Sequence, residues 1–236
     1  MCAVYWKDLR SHFTSVSSYM FLAVFLFFGG SYFTRFVLAQ NTNEVTEVFA
    51  NTSVLMVLLF PFLTMRSMAR EQQIGTDKLL LTGPLPIFSL AAAKLLACYT
   101  VFLLSLALTA IFPLLVFAGG NVTAGEVLVS YLGFALFGLA VISLGVFISS
   151  LSAHPLRAGL VTAICLIILW MTDSILPNVA NPALHSLLSV FSLFGRLEEF
   201  QYGFLRLSSI LYMLSFAAVF VLFTCKSISL HRENKV

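Results

Sequence analysis

Charge is what this chain has least of: only 10% of its 236 residues are Asp, Glu, Lys or Arg. A water-facing domain carries about a quarter, so these residues cannot cover a soluble surface. Cysteine is sparse as well. Cys2, Cys98, Cys165 and Cys225 stand at no paired spacing, which argues against a disulfide framework. His12, His154, His185 and His231 are spread along the chain, so they form no metal-ligand motif. No serine shares a motif with His and Asp, and residues 1–118 show no likeness to residues 119–236. What is present is 60% hydrophobic residues, 24 Phe and a net charge of only +3. That excludes disorder, collagen, a secreted disulfide scaffold and nucleic-acid binding. The composition is that of an all-α integral membrane protein.

The gaps between charges locate the spans. A membrane helix needs about 20 mostly apolar residues, each rising about 1.5 Å through a core about 30 Å thick. No charge falls between Arg10 and Arg35, Glu47 and Arg66, Arg157 and Asp173, or Arg206 and Lys226. Only Glu126 interrupts the run from Lys94 to Arg157. The pattern predicts six transmembrane helices near 17–38, 49–67, 90–117, 127–150, 157–174 and 206–226. Pro61 and Pro113 fall inside two of them and each removes a backbone hydrogen bond. The first run is long for a signal peptide and no small-x-small site follows it.

Lys and Arg concentrate on the cytoplasmic side of a membrane protein. Ten lie in one set of segments, among them Lys7, Arg66, Arg70, Lys78, Lys94 and Arg157, against three in the other (Arg35, Arg196 and Arg206). Both termini are therefore expected in the cytoplasm. Membrane anchoring by itself explains Arg66 and Lys94; it explains Glu71 poorly, because acidic residues contribute little to topology.

Two connecting segments carry pattern of their own. On the inner side, Thr76 can cap a short helix that opens on Asp77, continues through Leu79, Leu80 and Leu81, and stops at Gly83-Pro84. Ser89 then offers a cap for the third span. So short a helix is unstable alone and must pack on the bilayer surface, on its own chain or on a cytoplasmic partner. On the outer side, about 30 residues separate the fifth span from the sixth. Leu184, Leu187, Leu188, Phe191, Phe194, Leu197 and Phe200 recur there at helical spacing. Each apolar piece is too short to cross. It fits one or two helices dipping into the outer leaflet and returning, or an amphipathic helix lying flat on it. Gly195 and Gly203 bracket Arg196, Glu198 and Glu199. Asp173 closes the fifth span and reads as a hydrated carboxylate at the membrane edge. Gly138, Gly145 and Ser149 share one stripe of the fourth span and would let a neighbouring helix approach closely. That stripe reads as packing within the chain.

Pro61-Phe62-Leu63-Thr64-Met65-Arg66-Ser67-Met68-Ala69-Arg70-Glu71, followed by Gly75-Thr76, Leu79-Leu80-Leu81-Thr82 and Pro84, resembles the inner loop of ABC-2-type ABC-transporter permeases. The branch it looks closest to is the gliding-motility and copper-enzyme-maturation type. The likeness extends upstream through Lys7-Asp8-Leu9, Phe13, Ser15 and Tyr19, and downstream through Phe194, Phe200, Gly203 and Tyr212. It implies one permease domain over 1–236, with an N-terminal interfacial helix at about 4–15, a cytoplasmic coupling loop at about 66–89 and a re-entrant outer segment at about 176–204. The resemblance makes Arg66, Arg70, Glu71, Gly75, Thr76, Asp77, Lys78 and Leu79–Leu81 the ATPase-coupling residues. It assigns Phe194, Arg196, Glu198, Glu199, Phe200 and Gly203 to the re-entrant segment. The family often has a second acid at Arg70, an apolar-acidic pair at Asp77-Lys78, Pro at Val16 and Gly at Ala93. The charge changes lie on the surface that would meet the ATPase.

The chain contains no G-x-x-x-x-G-K-[ST] phosphate loop. ATP and Mg are therefore expected in a partner, a cytoplasmic ABC ATPase in two copies, and this chain is expected to bind no cofactor and catalyse nothing. A second permease copy or a sister permease is implied, meeting the first and fifth helices, in a bacterial plasma membrane. The Phe-rich composition suits an amphipathic or lipid-like substrate, including hydrophobic peptides, although aromatics also serve to face lipid. The alternative is an ATP-independent carrier or channel. A secondary carrier would show ionisable groups and broken helices at mid-membrane, and the spans here are almost free of charge.

Overall fold

In hydrocarbon every backbone N–H and C=O must be paired within the protein, and a helix does this without a neighbour. The computed structural model describes residues 2–35, 45–75, 86–117, 124–176, 181, 185 and 188–233. These form ten helices and, among the described residues, no strand. They are α1 (Cys2–Phe13), α2 (Val16–Phe33), α3 (Val45–Thr64), α4 (Ala69–Ile74) and α5 (Ile87–Thr109). After them come α6 (Ile111–Phe117), α7 (Ala124–Leu151), α8 (Pro155–Ile175), α9 (Phe194–Gln201) and α10 (Leu207–Glu233). Six stretches are long and apolar enough to cross a membrane: Val16–Phe33, Asn51–Ile74, Ile87–Leu114, Gly125–Leu151, Pro155–Ile175 and Leu207–Arg232.

All six expected spans have a counterpart, and the differences lie at their ends. The third begins at Ile87 after Pro86, not after a Ser89 cap, because proline is at home beside a first helical turn. It breaks at Ala110, where Pro113 can give no N–H to the Thr109 carbonyl. The sixth runs to Glu233, well past the expected 226. Lys226 and Arg232 mark where the apolar run ends, but a helix continues in water and its last turn favours cations.

The second and fourth spans form the centre: 72% of an 18-residue apolar stretch of each is buried, against 22% for the fifth and sixth. Helix α7 packs on α3, α5, α8, α9 and α10. It can do so because it is smooth at the crossings. A Cβ on Gly133 would strike Phe200 of α9, one on Gly138 would strike Phe102 of α5, and one on Gly145 would strike Thr64 of α3. The glycine stripe thus serves packing within the chain, as its pattern suggested.

Phe residues divide into two uses. Phe21, Phe25, Phe60, Phe102, Phe134 and Phe137 are fully buried and pack ring against ring, with Phe60 and Phe102 centroids 5.2 Å apart. Phe27, Phe88 and Phe204 face outward. The buried set is the core.

Candidate functional site

Helix α1 buries Val4, Asp8, Leu9 and His12 along one face and leaves Trp6, Lys7 and Arg10 exposed on the other. That face lies on α5, where Tyr5 Oη meets Thr100 Oγ1 at 2.9 Å and His12 Nε2 meets Cys98 Sγ at 3.3 Å. The same face brings Asp8 to Lys94. Lys94 is 1% exposed, so it is no membrane anchor, contrary to the reading from charge placement. Its ammonium has three protons and three acceptors: Glu71 Oε2 at 2.6 Å, the Ser67 carbonyl at 3.1 Å and Asp8 Oδ2 at 3.4 Å. A buried cation is tolerable only when paired and hydrogen-bonded in this way.

Glu71 sits on α4, a helix of six residues that continues the second span after a turn at Met65–Met68. Met68 supplies no side-chain cap. Ser149 of α7 does that work instead: its Oγ accepts the N–H groups of Met68 and Ala69, each at 3.1 Å, and donates to the Met65 carbonyl. Gln72 Nε2 donates to the Ser150 carbonyl at 2.8 Å. So fixed, α4 aims Glu71 at Lys94 on one side and at Lys7 Nζ, 2.7 Å away, on the other. Arg66 donates to Ser15 Oγ at 3.0 Å, between α1 and α2. The chain leaves α4 at Gly75, whose φ of +79° is a left-handed conformation suited to a glycine that closes a helix.

Two lysines and two acids therefore join α1, α4 and α5 in a neutral cluster. Burial pushes the Asp8 carboxyl above its usual value while Lys94 pulls it down. Burial, with the Lys94 charge, pushes His12 down to about 4. A cavity of about 250 Å³ opens beside the cluster, reached by Ser11, Arg66, Arg70 and Ile74.

Of the residues singled out by sequence, Arg66 and Glu71 lie at this junction, while Arg70 and Gly75 are exposed next to it. Glu71, expected on a surface that meets a partner, turns its carboxylate inward. Thr76, Asp77, Lys78, Leu79, Leu80 and Leu81 fall outside the described residues. Sequence reasoning missed Lys94 as a member of the cluster. Its signal was there: a lysine flanked by Ala91–Ala93 and Leu95–Leu96, too deep in an apolar run to stand without a counter-ion. Ser149, read only as small, is a helix cap.

At the opposite ends of the spans, α9 buries Phe194, Leu197, Phe200 and Gln201 against α7, α3 and α8. Asp173 of α8 is not free and hydrated: its Oδ2 accepts the Phe194 N–H at 2.8 Å. Arg196 lies over the Tyr212 ring at 3.9 Å. Glu199 takes Arg206 at 2.7 Å and Ser209 Oγ at 2.6 Å. Burial, and then the charge of Asp173, raises Glu198. Gly203 turns the chain with φ +76° beside Glu126.

No curated protein matches the chain. A family model described as an ABC-2 family transporter protein matches residues 42–226, most of the chain, from before the second span to within the sixth. This chain belongs to the ABC-2 transporter family.

Proposed function

We propose that the chain is the membrane-spanning, non-catalytic subunit of an exporter in a bacterial plasma membrane, driven by two copies of a cytoplasmic ABC ATPase. Both termini face the cytoplasm, α1 lies at the inner interface and α9 sits in the outer leaflet as the re-entrant segment. The observation that carries this reading is the ion cluster. Gly75 closes α4, and α4 is tied through Glu71 to Lys94 of α5 and Lys7 of α1. A partner that moves Thr76 to Leu81 therefore acts on three helices at once.

In this reading the ATPase meets Arg70, Gly75, Thr76, Asp77, Lys78 and Leu79–Leu81, with Arg66 bracing the junction, and Glu71 is the joint behind that surface. A second permease copy or a sister chain covers faces that α2 and α8 leave open. The substrate is amphipathic or lipid-like, with hydrophobic peptides in the same class, because the spans carry few charges and the buried Lys94 is paired with Glu71.

The test is co-expression with an ABC ATPase encoded in the neighbourhood of this chain. Replacing Leu79, Leu80 and Leu81 by Asn should abolish co-purification. Glu71→Gln should leave the complex intact and lower its ATP turnover in nanodiscs. Unchanged complex yield with the three-leucine variant would remove the coupling assignment.

A further inference from the structure

Where α3 and α4 meet the start of α8, a groove of about 690 Å³ is lined by Arg66, Arg70, Gln73, His154, Leu156 and Arg157, among others. Among the described residues, no carboxylate lines it. Arg66 is engaged with Ser15. Arg70 and Arg157 are exposed and, among the described residues, form no ion pair. The 21-residue α8 begins at Pro155 without a side-chain cap from His154, which adds positive potential at the same end.

The groove sits at the ends of two membrane-crossing stretches, and an apolar track leads out of it. Leu156 and Leu160, one turn apart on α8, are 75% and 66% exposed. A soluble acidic protein would use the arginines and leave these leucines bare. A molecule with a phosphate at one end and an acyl chain at the other uses both.

We propose that this groove binds an anionic phospholipid, its phosphate between Arg70 and Arg157 and an acyl chain along Leu156 and Leu160. Basic pockets at the cytoplasmic ends of spans are suited to such headgroups, each cation adding attraction near the charged surface. Arginine fits because its planar fork takes phosphate oxygens in pairs. The bound lipid would be a fixed part of the junction beside α4, distinct from any transported cargo.

The test is native mass spectrometry of the full chain, purified in detergent and offered phosphatidylglycerol and phosphatidylcholine together. Wild type should retain phosphatidylglycerol selectively. Arg70→Gln with Arg157→Gln should lower that retention on the order of tenfold or more. Arg70→Lys with Arg157→Lys, which keeps the charge, should retain most of it and so separates lost binding from lost folding. Lys226→Gln with Arg232→Gln, at the inner end of α10, should change nothing. Equal retention of the two lipids, or undiminished retention in the Gln pair, overturns the site. Displacement by inorganic phosphate alone would make it a free-anion site and overturn it too. Selectivity that appears in the chain only as an ATPase complex would assign the groove to the protein partner. The measurement on the chain alone needs no ATPase, so its failure and that of the coupling reading are separate results.

Discussion

Lys94 Nζ lies 2.6 Å from Glu71 Oε2, and the lysine is 1% exposed. The pair therefore sits where water cannot replace a lost partner. Lys94→Met should cost about 3 kcal/mol, because Asp8 and Glu71 would keep buried charge without its counter-ion. In Lys7→Met, Glu71 still keeps Lys94, so that change, at the exposed rim, should cost much less. Thermal melts in detergent check the order, and a Glu71→Lys, Lys94→Glu double variant should recover part of the loss. Equal effects of the Lys7 and Lys94 changes would contradict a cluster centred on Lys94.

Helix α7 offers a cleaner test of packing. Gly138→Ala puts a methyl group into the Phe102 ring, and overpacking of this kind costs about 1–3 kcal/mol. Gly125→Ala, which meets nothing within 4 Å, should be silent or slightly stabilising because alanine is the better helix former. Combining Gly138→Ala with Phe102→Leu should restore part of the loss, since both act on one crossing. Melting temperatures of the four proteins decide it.

His12 sets the acid response of the junction of α1, α4 and α5. Folding lowers its value from 6.5 to about 4, first by burial and then by the Lys94 charge. Between those values the unfolded chain holds a proton that the folded chain does not. The stability due to neutral His12 is thus complete above about 6.5 and is lost as pH falls, by up to about 1.4 kcal/mol per pH unit. Asp8, raised by burial, works in the opposite sense just above its usual range, where the folded chain holds the extra proton. His12→Asn should flatten the melting temperature between neutral pH and the lower end of the His12 window. A variant as acid-sensitive as wild type would show that His12 is not the group responsible.

The six spans were legible because the membrane imposes one rule, the length of an apolar run between charges, and that rule needs no partner. The glycine stripe of α7 was legible for a similar reason: small residues at helical spacing leave room on one face, whatever fills it. Residue ends and pairings were not. Lys226 and Arg232 limit the apolar run but not the helix. Lys94 and Glu71 are 23 positions apart, and each alone reads as an ordinary inner-side charge. Only the fold of α1 and α4 over α5 excludes water from Lys94 and turns an anchor into a buried pair. Asp173 was misread likewise, since its acceptor role depends on where α9 begins, 21 residues later.

Asp173 gives α9 its footing. Leu193, which precedes α9, has no side-chain cap for it, and Asp173 Oδ2 takes the Phe194 N–H instead. Removing the acceptor leaves a partly buried N–H without a partner, at a cost of about 1–3 kcal/mol. Asp173→Ala should therefore speed hydrogen exchange of the Phe194 amide on the order of tenfold or more. Asp173→Asn keeps a carbonyl oxygen in reach and should hold the exchange near wild type. It should also lower the Glu198 titration toward its ordinary value, because the Asp173 charge is one of the two causes that raise it. The two variants thus separate the roles of one carboxylate. Exchange that rises equally in both would mean that charge rather than the acceptor secures α9; exchange unchanged in Asp173→Ala would mean that packing of Phe194, Leu197 and Phe200 secures it alone.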